Sequence, residues 1–197
     1  MSRARTRPTR RETCGKLFQA AAELFEKHGI GDTSIDAIAA EAELTSGAFY
    51  SNFAGKDDLI IGMLEDHAER SLAYHRTLMA EHREPSDLIA ALKSSERKDD
   101  PLGRSPILHI ELILYVARAE KRRPELAKRL RARRKLIAEM VAASIREKPR
   151  LDPEWAGGLL VALEDGYRLH RLIDPGSTPA DSFFEAVERL QRLIARR

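Results

Sequence analysis

The sequence has little cysteine and no long apolar run. Cys14 is the one cysteine among 197 residues, so no disulfide can form within the chain, which is typical of a reducing compartment. No stretch approaches the roughly 20 consecutive apolar residues that cross a bilayer. The basic first residues are not followed by the apolar segment of a signal peptide. We therefore expect a cytoplasmic protein with no membrane partner.

Several motifs of enzymes are also missing. The chain has no Gly-Lys phosphate-binding loop, no glycine-rich dinucleotide fingerprint and no HExxH zinc motif. His109 and Glu111 have a spacing found in zinc deaminases, but that site also needs a pair of cysteines. We therefore predict no catalytic residue, no metal site and no cofactor, and an enzyme is the less favoured class.

The composition suits a packed helical protein with well-solvated surfaces. Hydrophobic residues make up 43% of the chain and charged residues 33%. Apolar residues recur at helical spacing between Pro and Gly breaks, which predicts an all-α fold of about nine helices. The net charge of +3 permits binding to nucleic acid without indicating it.

Residues 33–56, TSIDAIAAEAELTSGAFYSNFAGK, are predicted to form two short helices joined by a tight turn. Thr33 followed by Asp36 has the spacing of a capping box, and Thr45 can cap the second helix. With only Glu43 and Leu44 as a linker, the two helices must cross steeply, as in a helix-turn-helix at about 33–53. A pair of this kind is suited to reading a DNA major groove.

The second of these helices has an apolar side and a hydrogen-bonding side. Phe49 and Phe53, four residues apart, can anchor it to the core. Gly47 costs about 1 kcal/mol inside a helix compared with Ala, so something must approach the backbone there. That neighbour is either a phosphate or base edge, or a packed helix. The other side presents the candidates for base contacts, namely Thr45, Ser46, Ala48, Tyr50, Ser51 and Asn52.

This segment resembles the DNA-binding region of the TetR family of bacterial transcriptional regulators. The resemblance includes the preceding long helix and is carried by Thr33, Ser34, Gly47, Tyr50, Phe53 and Lys56. Two positions depart from the family pattern. Glu43 stands where Gly is usual, and Ser51-Asn52 replace a commonly aromatic or His pair. The operator sequence therefore does not follow from relatives.

Further contacts to the DNA backbone are expected around this segment. Residues 1–8 form a basic arm, with Arg5 and Arg7, that either follows phosphates and the minor groove or is a disordered solubilising tail. Arg10, at the start of the first long helix, can touch a phosphate. Three more residues are expected to position the head on the DNA backbone: Thr33, Ser34 and Lys56.

Cys14 lies in the first turn of that long helix, which a Thr9–Glu12 capping box opens and Gly29 ends. The helix N-terminus and the neighbouring Arg10 are expected to lower the pKa of the thiol, which allows a redox-sensing role. The alternative is that Cys14 is a small buried residue.

The remainder of the chain is predicted to form a larger helical domain. A long helix runs from Lys56 to about Glu81. Residues 94–104 are polar and rich in turn formers, so we expect an exposed loop there. The following helix, at about 107–118, is almost uniformly apolar, so it should be buried on most sides.

The last two helices carry more apolar surface than one subunit needs to bury. They are predicted to start at Asp152-Pro153 and Thr178-Pro179, each a cap followed by Pro. Symmetric pairing would bury their apolar surface, and in the TetR family these helices form a four-helix dimer interface. The interface candidates are Trp155, Leu159, Leu163, Tyr167, Phe184, Val187, Leu190 and Ile194.

The resemblance implies a homodimeric repressor that binds a palindromic operator in double-stranded DNA and is released by a small-molecule effector of unknown identity. It implies a DNA-binding domain at 9–55 and an effector-binding and dimerisation domain at 56–197. The alternatives are an activator, or a DNA-binding dimer regulated by a partner or by oxidation instead of a small molecule. The effector-pocket candidates, each of which can instead be a core residue, are Tyr74, His75, Met79, His109, Glu111, Tyr115 and Met140.

Overall fold

Ten α-helices and one 3-10 helix make up the secondary structure of the described residues, which contain no strand. The structure is a computed structural model that describes residues 9–82, 84–94, 100–144, 152–179 and 181–195, without the side chains of residues 85, 141, 143, 144 and 190–195. The prediction of an all-α fold is confirmed.

The helices are numbered α1 to α10 in chain order. The first five are α1 (Arg10–Asp32), α2 (Ile35–Glu41), α3 (Ser46–Tyr50), α4 (Lys56–Glu81) and α5 (Pro85–Lys93). The others are α6 (Pro101–Arg104), α7 (Pro106–Arg118), α8 (Arg123–Ser144), α9 (Pro153–Ile173) and α10 (Ser182–Ala195), with the 3-10 helix at Glu120–Arg122. None of the helices in the described ranges is long and apolar enough to cross a membrane.

The chain divides into two compact units inside α4. The first unit comprises Met1–His67 and Lys98–Glu120, and the second comprises Ala68–Arg97 and Lys121–Arg197. The first unit therefore holds α1, α2, α3, the first part of α4, α6 and α7. The second unit holds the rest of α4 together with α5, α8, α9 and α10.

The first unit is built around a core of aromatic and aliphatic side chains. α1 begins with the predicted capping box, in which Glu12 N donates to the Thr9 hydroxyl at 3.2 Å and Thr9 N donates to Glu12 Oε2 at 2.7 Å. Gly29 interrupts α1 with a φ of 80°, a conformation that favours glycine. The largest fully buried side chains of this core are Leu17, Phe25, Ile38, Phe49, Leu59, Ile60, Leu108 and Leu112.

Two expectations about the first unit are wrong. Within the expected loop at 94–104, of which 95–99 lie outside the described residues, Asp100 is buried and caps the short helix α6. Its carboxylate accepts from Leu102 N at 3.2 Å and lies 2.7 Å from His67 Nδ1, and a partnered carboxylate can be buried despite its polarity. The apolar helix α7 is not buried on most sides, because Ile107 and Leu114 are exposed in the single chain.

A buried apolar cluster holds α4, α5 and α8 together in the second unit. It consists of Leu78, Leu88, Leu136 and Met140. Leu72, Leu92 and Ile137 are among the partly buried residues that pack against it. The second unit therefore has an apolar core of its own.

α8 and α9 pack closely because Gly157 has no side chain. A Cβ at Gly157 would lie 2.7 Å from Ala138 N and 2.8 Å from Arg134 O. A carbon atom does not come so close to a nitrogen or oxygen atom to which it is not bonded. Asp152 caps α9 as predicted. The predicted start of α10 is wrong, because Thr178 N donates to Asp174 O in the turn that follows α9, and α10 begins only at Ser182.

Candidate nucleic-acid interface

α2 begins one residue later than the sequence predicts. Ser34, rather than Thr33, is its N-cap, and the Ser34 hydroxyl accepts from Ala37 N at 3.1 Å. Thr33 is buried, and its hydroxyl donates to Gly29 O at 2.8 Å. The predicted capping box of Thr33 and Asp36 is therefore wrong, and Thr33 presents no hydroxyl to a DNA backbone. The break at Gly29 leaves backbone carbonyls of α1 available, and the Thr33 hydroxyl donates to one of them. The spacing of residues in the sequence does not reveal that these carbonyls are available.

The turn between α2 and α3 is a Schellman motif with a glutamate at its left-handed position. Glu43 N donates to Ala40 O at 3.0 Å and Leu44 N donates to Ala39 O at 2.8 Å, so two of the last carbonyls of α2 are satisfied. Glu43 adopts a φ of 56°. A further bond ties the two helices together, since Ser46 Oγ donates to Asp36 Oδ1 at 2.6 Å. The tie between Ser46 and Asp36 was not predicted, because the two residues come from different helices.

α3 has one buried side and one exposed side, as predicted. Its N-cap is Thr45, whose hydroxyl accepts from Ala48 N at 3.1 Å, and Phe49 is fully buried. Tyr50 is 58% exposed, with its ring packed edge-on against Phe49. The described residues place no helix against Gly47, where a Cβ would meet only the Thr45 hydroxyl, at 3.7 Å. Of the two explanations for Gly47, the packed helix is therefore wrong.

The candidates for DNA contact differ in how accessible their side chains are. Ser46 and Ala48 are half-buried. Arg5 and Arg7 lie outside the described residues. The candidates that remain exposed are Arg10, Ser34, Thr45, Gly47, Tyr50 and Ser51.

Asn52 is half-buried and joins α3 to α1. Its side-chain amide donates to Ala48 O at 2.8 Å, and its Oδ1 accepts from Cys14 Sγ at 3.7 Å. These bonds commit both ends of the amide within the protein, so the structure favours a structural role for Asn52 over the predicted base contact. Burial raises the pKa of the Cys14 thiol, and the opposing effect of Arg10 is smaller. The expected lowering of that pKa is wrong, because the sequence shows the basic neighbour and not the burial.

Lys56 is half-buried, and its ammonium group reaches the end of α1. Nζ donates to the backbone carbonyls of Ile30 at 2.6 Å, Gly31 at 3.1 Å and Thr33 at 3.0 Å. Lys56 is expected from the sequence to contact the DNA backbone. The structure instead surrounds its amine with carbonyl oxygens of the protein.

Comparisons with known proteins agree with this helix-turn-helix geometry. Residues 17–63 match the family model described as bacterial regulatory proteins, tetR family, and residues 105–195 match the one described as tetracyclin repressor-like, C-terminal domain. The HTH-type transcriptional repressor Rv3405c of Mycobacterium tuberculosis is 31% identical over 172 residues, which cover 84% of this chain and 77% of that protein. The chain belongs to the TetR family. It is therefore a DNA-binding transcriptional regulator and not an enzyme.

Other TetR-family proteins are similar over part of the sequence or in fold. TtgR of Pseudomonas putida is 32% identical over 114 residues, 56% of this chain and 47% of TtgR, so the chain spans about half of that relative. A TetR-family regulator from Rhodococcus sp. has a TM-score of 0.70 at 20% identity, covering 90% of this chain and 97% of that one. SmeT, the repressor of the multidrug efflux pump SmeDEF of Stenotrophomonas maltophilia, has a TM-score of 0.64 at 20% identity, covering 90% and 85%.

Three of the pocket candidates that the TetR resemblance suggests lie in the first unit. The Tyr115 hydroxyl donates to Asp57 Oδ1 at 2.8 Å. The ring of His109 packs against that of His67, with 4.3 Å between their centroids. Glu111 is exposed. Tyr115 and His109 contact other side chains, and Glu111 is exposed. These features do not by themselves outline a cavity.

The other four pocket candidates lie in the second unit. Tyr74 and Met79 pack against the buried cluster that contains Met140. His75 Nδ1 lies 2.7 Å from Ser71 O, one turn earlier on α4. Tyr74, Met79 and Met140 thus match the alternative interpretation of core residues.

A stripe of apolar residues runs along the outer side of α9. Ile173 is 76% exposed, and Trp155, Leu159 and Leu169 are also exposed. With Ala162 and Gly166 between them, these residues step alternately by four and three positions, which is the spacing of an apolar seam between paired helices. We call Trp155, Leu159, Ala162, Gly166, Leu169 and Ile173 the α9 stripe. Leu169 and Ile173 were not predicted, although this spacing is visible in the sequence.

The remaining dimer-interface candidates are less exposed. Leu163, Tyr167, Phe184 and Val187 are half-buried within the subunit. The ring of Tyr167 lies against that of Phe183 of α10, with 6.3 Å between centroids. The side chains of Leu190 and Ile194 lie outside the described residues.

An ion-pair cluster between α8 and α9 was not predicted. Arg133 donates to Glu164 Oε2 at 2.9 Å and to Asp165 Oδ1 at 2.8 Å, and Arg168 donates to Glu164 Oε1 at 2.8 Å. Burial raises the pKa of Glu164, but Arg133 and Arg168 lower it by more, so the pKa lies below its usual value. Glu164 and Arg168 are four residues apart and visible as a pair in the sequence, whereas Arg133 comes from another helix.

Proposed function

We propose that this TetR-family regulator is a homodimeric repressor that binds a palindromic operator and is released by a small-molecule effector. The proposed DNA-binding domain is 9–55, and the proposed effector-binding and dimerisation domain is 56–197. The protein would act in the cytoplasm, where a bacterial chromosome lies. That the relative Rv3405c is named a repressor supports repression as the mode of action.

The observation that carries the proposal is the exposed outer side of α3. Buried Phe49 anchors this helix, while Tyr50 stands 58% exposed beside the exposed Thr45 and Ser51. Hydroxyl groups of this kind donate to and accept from base edges and phosphates. We propose that Thr45 and Ser51 contact bases and that Tyr50 contacts a phosphate or a thymine methyl. Ser51 would act as an acceptor, because its hydroxyl donates to Ala48 O at 2.9 Å. Gly47 is exposed, and a Cβ there would meet only the Thr45 hydroxyl, at 3.7 Å, so DNA can approach the backbone of α3 at this position.

The α9 stripe supports the dimeric part of the proposal. A single chain leaves this apolar seam in water, and a second copy related by a two-fold axis would cover it. Two-fold symmetry would present two copies of α3 to successive major grooves about 34 Å apart. The operator would therefore have two half-sites in inverted orientation.

Complexes of similar proteins support a small-molecule effector. SmeT has been solved as a triclosan complex, and the multidrug-binding protein EbrR as a complex with imidazole. A ligand regulates DNA binding only if it favours one conformation of the protein, and typical couplings of about 1–3 kcal/mol change affinity roughly 5- to 150-fold. The second candidate function is a DNA-binding dimer without a small-molecule effector. The packing of Tyr74, Met79 and Met140 into the core of the second unit favours it.

Selection of bound duplexes from a random library tests the proposal. We expect an inverted repeat to be enriched and two chains to bind each duplex in light-scattering measurements. Triclosan and a panel of other small molecules would then be added to the complex. An effector should raise the Kd for the selected duplex by at least roughly fivefold. Enrichment of an unrepeated site would refute the palindromic dimer, and a panel without effect would favour the second candidate.

A further inference from the structure

The joint between α1 and α2 concentrates backbone carbonyls around two side chains. Gly29 interrupts α1, and the carbonyls that follow it cannot all find partners within the helix. Thr33 Oγ1 lies 2.8 Å from Gly29 O and 3.3 Å from Leu24 O. Lys56 Nζ donates to the carbonyls of Ile30, Gly31 and Thr33. We call these residues the α1–α2 joint.

The Lys56 ammonium group has no hydrogen left for DNA. It carries three N–H donors and no acceptor, and the three carbonyls of the joint lie at 2.6, 3.1 and 3.0 Å from Nζ. Carbonyls at the end of a helix also carry partial negative charge, which stabilises a cation there. The donors of the Lys56 ammonium group are therefore all engaged by the protein before any phosphate approaches, although the group keeps its positive charge.

We propose that Lys56 is a positioning residue for DNA recognition and not a phosphate contact. Lys56 is the first residue of α4, and the carbonyls that it binds directly precede Ser34, the N-cap of α2. Its ammonium group thereby fastens the start of α4 to the start of the helix-turn-helix and sets the direction in which α2 and α3 leave the joint. This inference rests on DNA binding through the helix-turn-helix.

The geometry of the joint requires an ammonium group and not merely a positive charge. Three carbonyls converge on one nitrogen atom. The guanidinium group of arginine is planar and directs its donors outward as a fork, so it cannot reproduce that convergence. Lys56→Arg keeps the charge and removes the fit, whereas Lys56→Met removes the charge and keeps most of the length.

The test is the salt dependence of binding to the duplex selected by the wild-type protein. We expect Lys56→Arg and Lys56→Met to weaken binding by about tenfold or more at every salt concentration, because a misaligned α3 loses contacts. The slope of log Kd against log salt should stay that of the wild type. Thr33→Val, which removes the other side chain of the joint, should act in the same direction. Lys27→Met, at an exposed position of α1, is the matched control and should bind as the wild type does.

Several results would overturn the inference. A phosphate contact would make the slope of Lys56→Met smaller by about one unit and would leave Lys56→Arg close to wild type. Wild-type affinity in both variants would show that the joint positions nothing. If Lys56→Met does not fold, Lys56→Arg and Thr33→Val decide between these outcomes. If no duplex is enriched, the proposed recognition of an operator is wrong. The slopes of log Kd against log salt, measured on a mixed-sequence duplex, then still test the role of Lys56.

Discussion

Glu43 is the one non-glycine residue with a left-handed backbone among the described residues, at φ 56°. In that conformation the Cβ comes close to the following carbonyl oxygen, which costs roughly 1–2 kcal/mol. The Schellman turn requires it, because Glu43 N and Leu44 N both reach back to carbonyls of α2. The helix-turn-helix therefore carries local strain at the turn that separates α2 from α3.

Glu43→Gly should stabilise the protein by about 0.5–1 kcal/mol, since glycine adopts the left-handed conformation without the Cβ penalty but loses more chain entropy on folding. Urea denaturation followed by circular dichroism measures the change. Glu41→Gly, in the last turn of α2, is the matched control and should destabilise by about 1 kcal/mol. A lower urea midpoint for Glu43→Gly would contradict the strain.

The residues of the DNA-binding region show how far sequence patterns extend. Thr45 as a cap and Phe49 as an anchor follow from spacing along one helix, and both predictions are confirmed. Asn52 and Lys56, by contrast, make bonds to a side chain and a backbone carbonyl that lie far away in the sequence. Their residue types suit DNA contacts equally well, so only the positions of the neighbouring segments decide which groups they bind.

At the scale of helices, the pair α8 and α9 depends on one glycine. Gly157→Ala would bring a Cβ within 2.7 Å of the α8 backbone at Ala138 N. Backbone cannot move aside as a flexible side chain does, so we expect the variant to lose about 1–3 kcal/mol of stability. Thermal and urea unfolding measure the loss.

Gly158→Ala is the control for this prediction. Gly158 is in the same helix, and a Cβ there would have nothing within 4 Å. Helix propensity alone should then stabilise the variant by up to about 1 kcal/mol. Equal effects of the substitutions at Gly157 and Gly158 would show that the close approach of the helices is not what Gly157 provides.

The ion-pair cluster of α8 and α9 makes stability depend on pH. The pKa of folded Glu164 lies below its usual value, so its ionised form stabilises the fold. That contribution is complete above the unfolded pKa of about 4.3 and is lost as the pH falls through the folded pKa. Glu164→Gln should therefore destabilise by about 1–3 kcal/mol at pH 7, and by progressively less under acid conditions.

Glu185→Gln is the control for the ion-pair prediction. Glu185 pairs with Arg189 at 3.5 Å, and both side chains are largely exposed. Pairs of this kind contribute about 0.3–0.5 kcal/mol. Urea midpoints measured from pH 7 down to about pH 2, which passes below both the unfolded and the lowered folded pKa of Glu164, separate the two sites. A constant difference between Glu164→Gln and wild type over that range would rule out the proposed linkage.

At the scale of the whole molecule, the α9 stripe predicts self-association. Leu159→Glu and Ile173→Glu place charges in the seam, where a dimer would have to bury them without partners. We expect both variants to sediment as monomers and to bind an inverted-repeat duplex more weakly than the wild type. Ile107→Glu, at an exposed apolar position of α7, is the control and should leave the sedimentation behaviour unchanged.

Analytical ultracentrifugation at micromolar protein concentration measures whether the wild type and the variants are dimers. A monomeric wild type would contradict the proposed symmetric pairing. If the Leu159→Glu and Ile173→Glu proteins are still dimers, the dimer interface does not lie on the α9 stripe. Loss of dimers in Ile107→Glu as well would indicate that α7 takes part.

The sequence by itself determined the helical fold and the helix-turn-helix, because capping, helical spacing and turn residues act between positions close in the chain. The family was indicated by a resemblance and shown by comparison with known proteins. Thr9, Thr45 and Asp152 are caps of this local kind, and all three predictions are confirmed. Only the tertiary structure decided that Asp100 is buried beside His67. It also decided that the α8 backbone packs against Gly157 and that the Lys56 amine binds the carbonyls of the α1–α2 joint. Each of these depends on groups that are distant in the chain and meet only when helices pack, so burial and hydrogen-bond partners at such places are set by packing and not by local pattern.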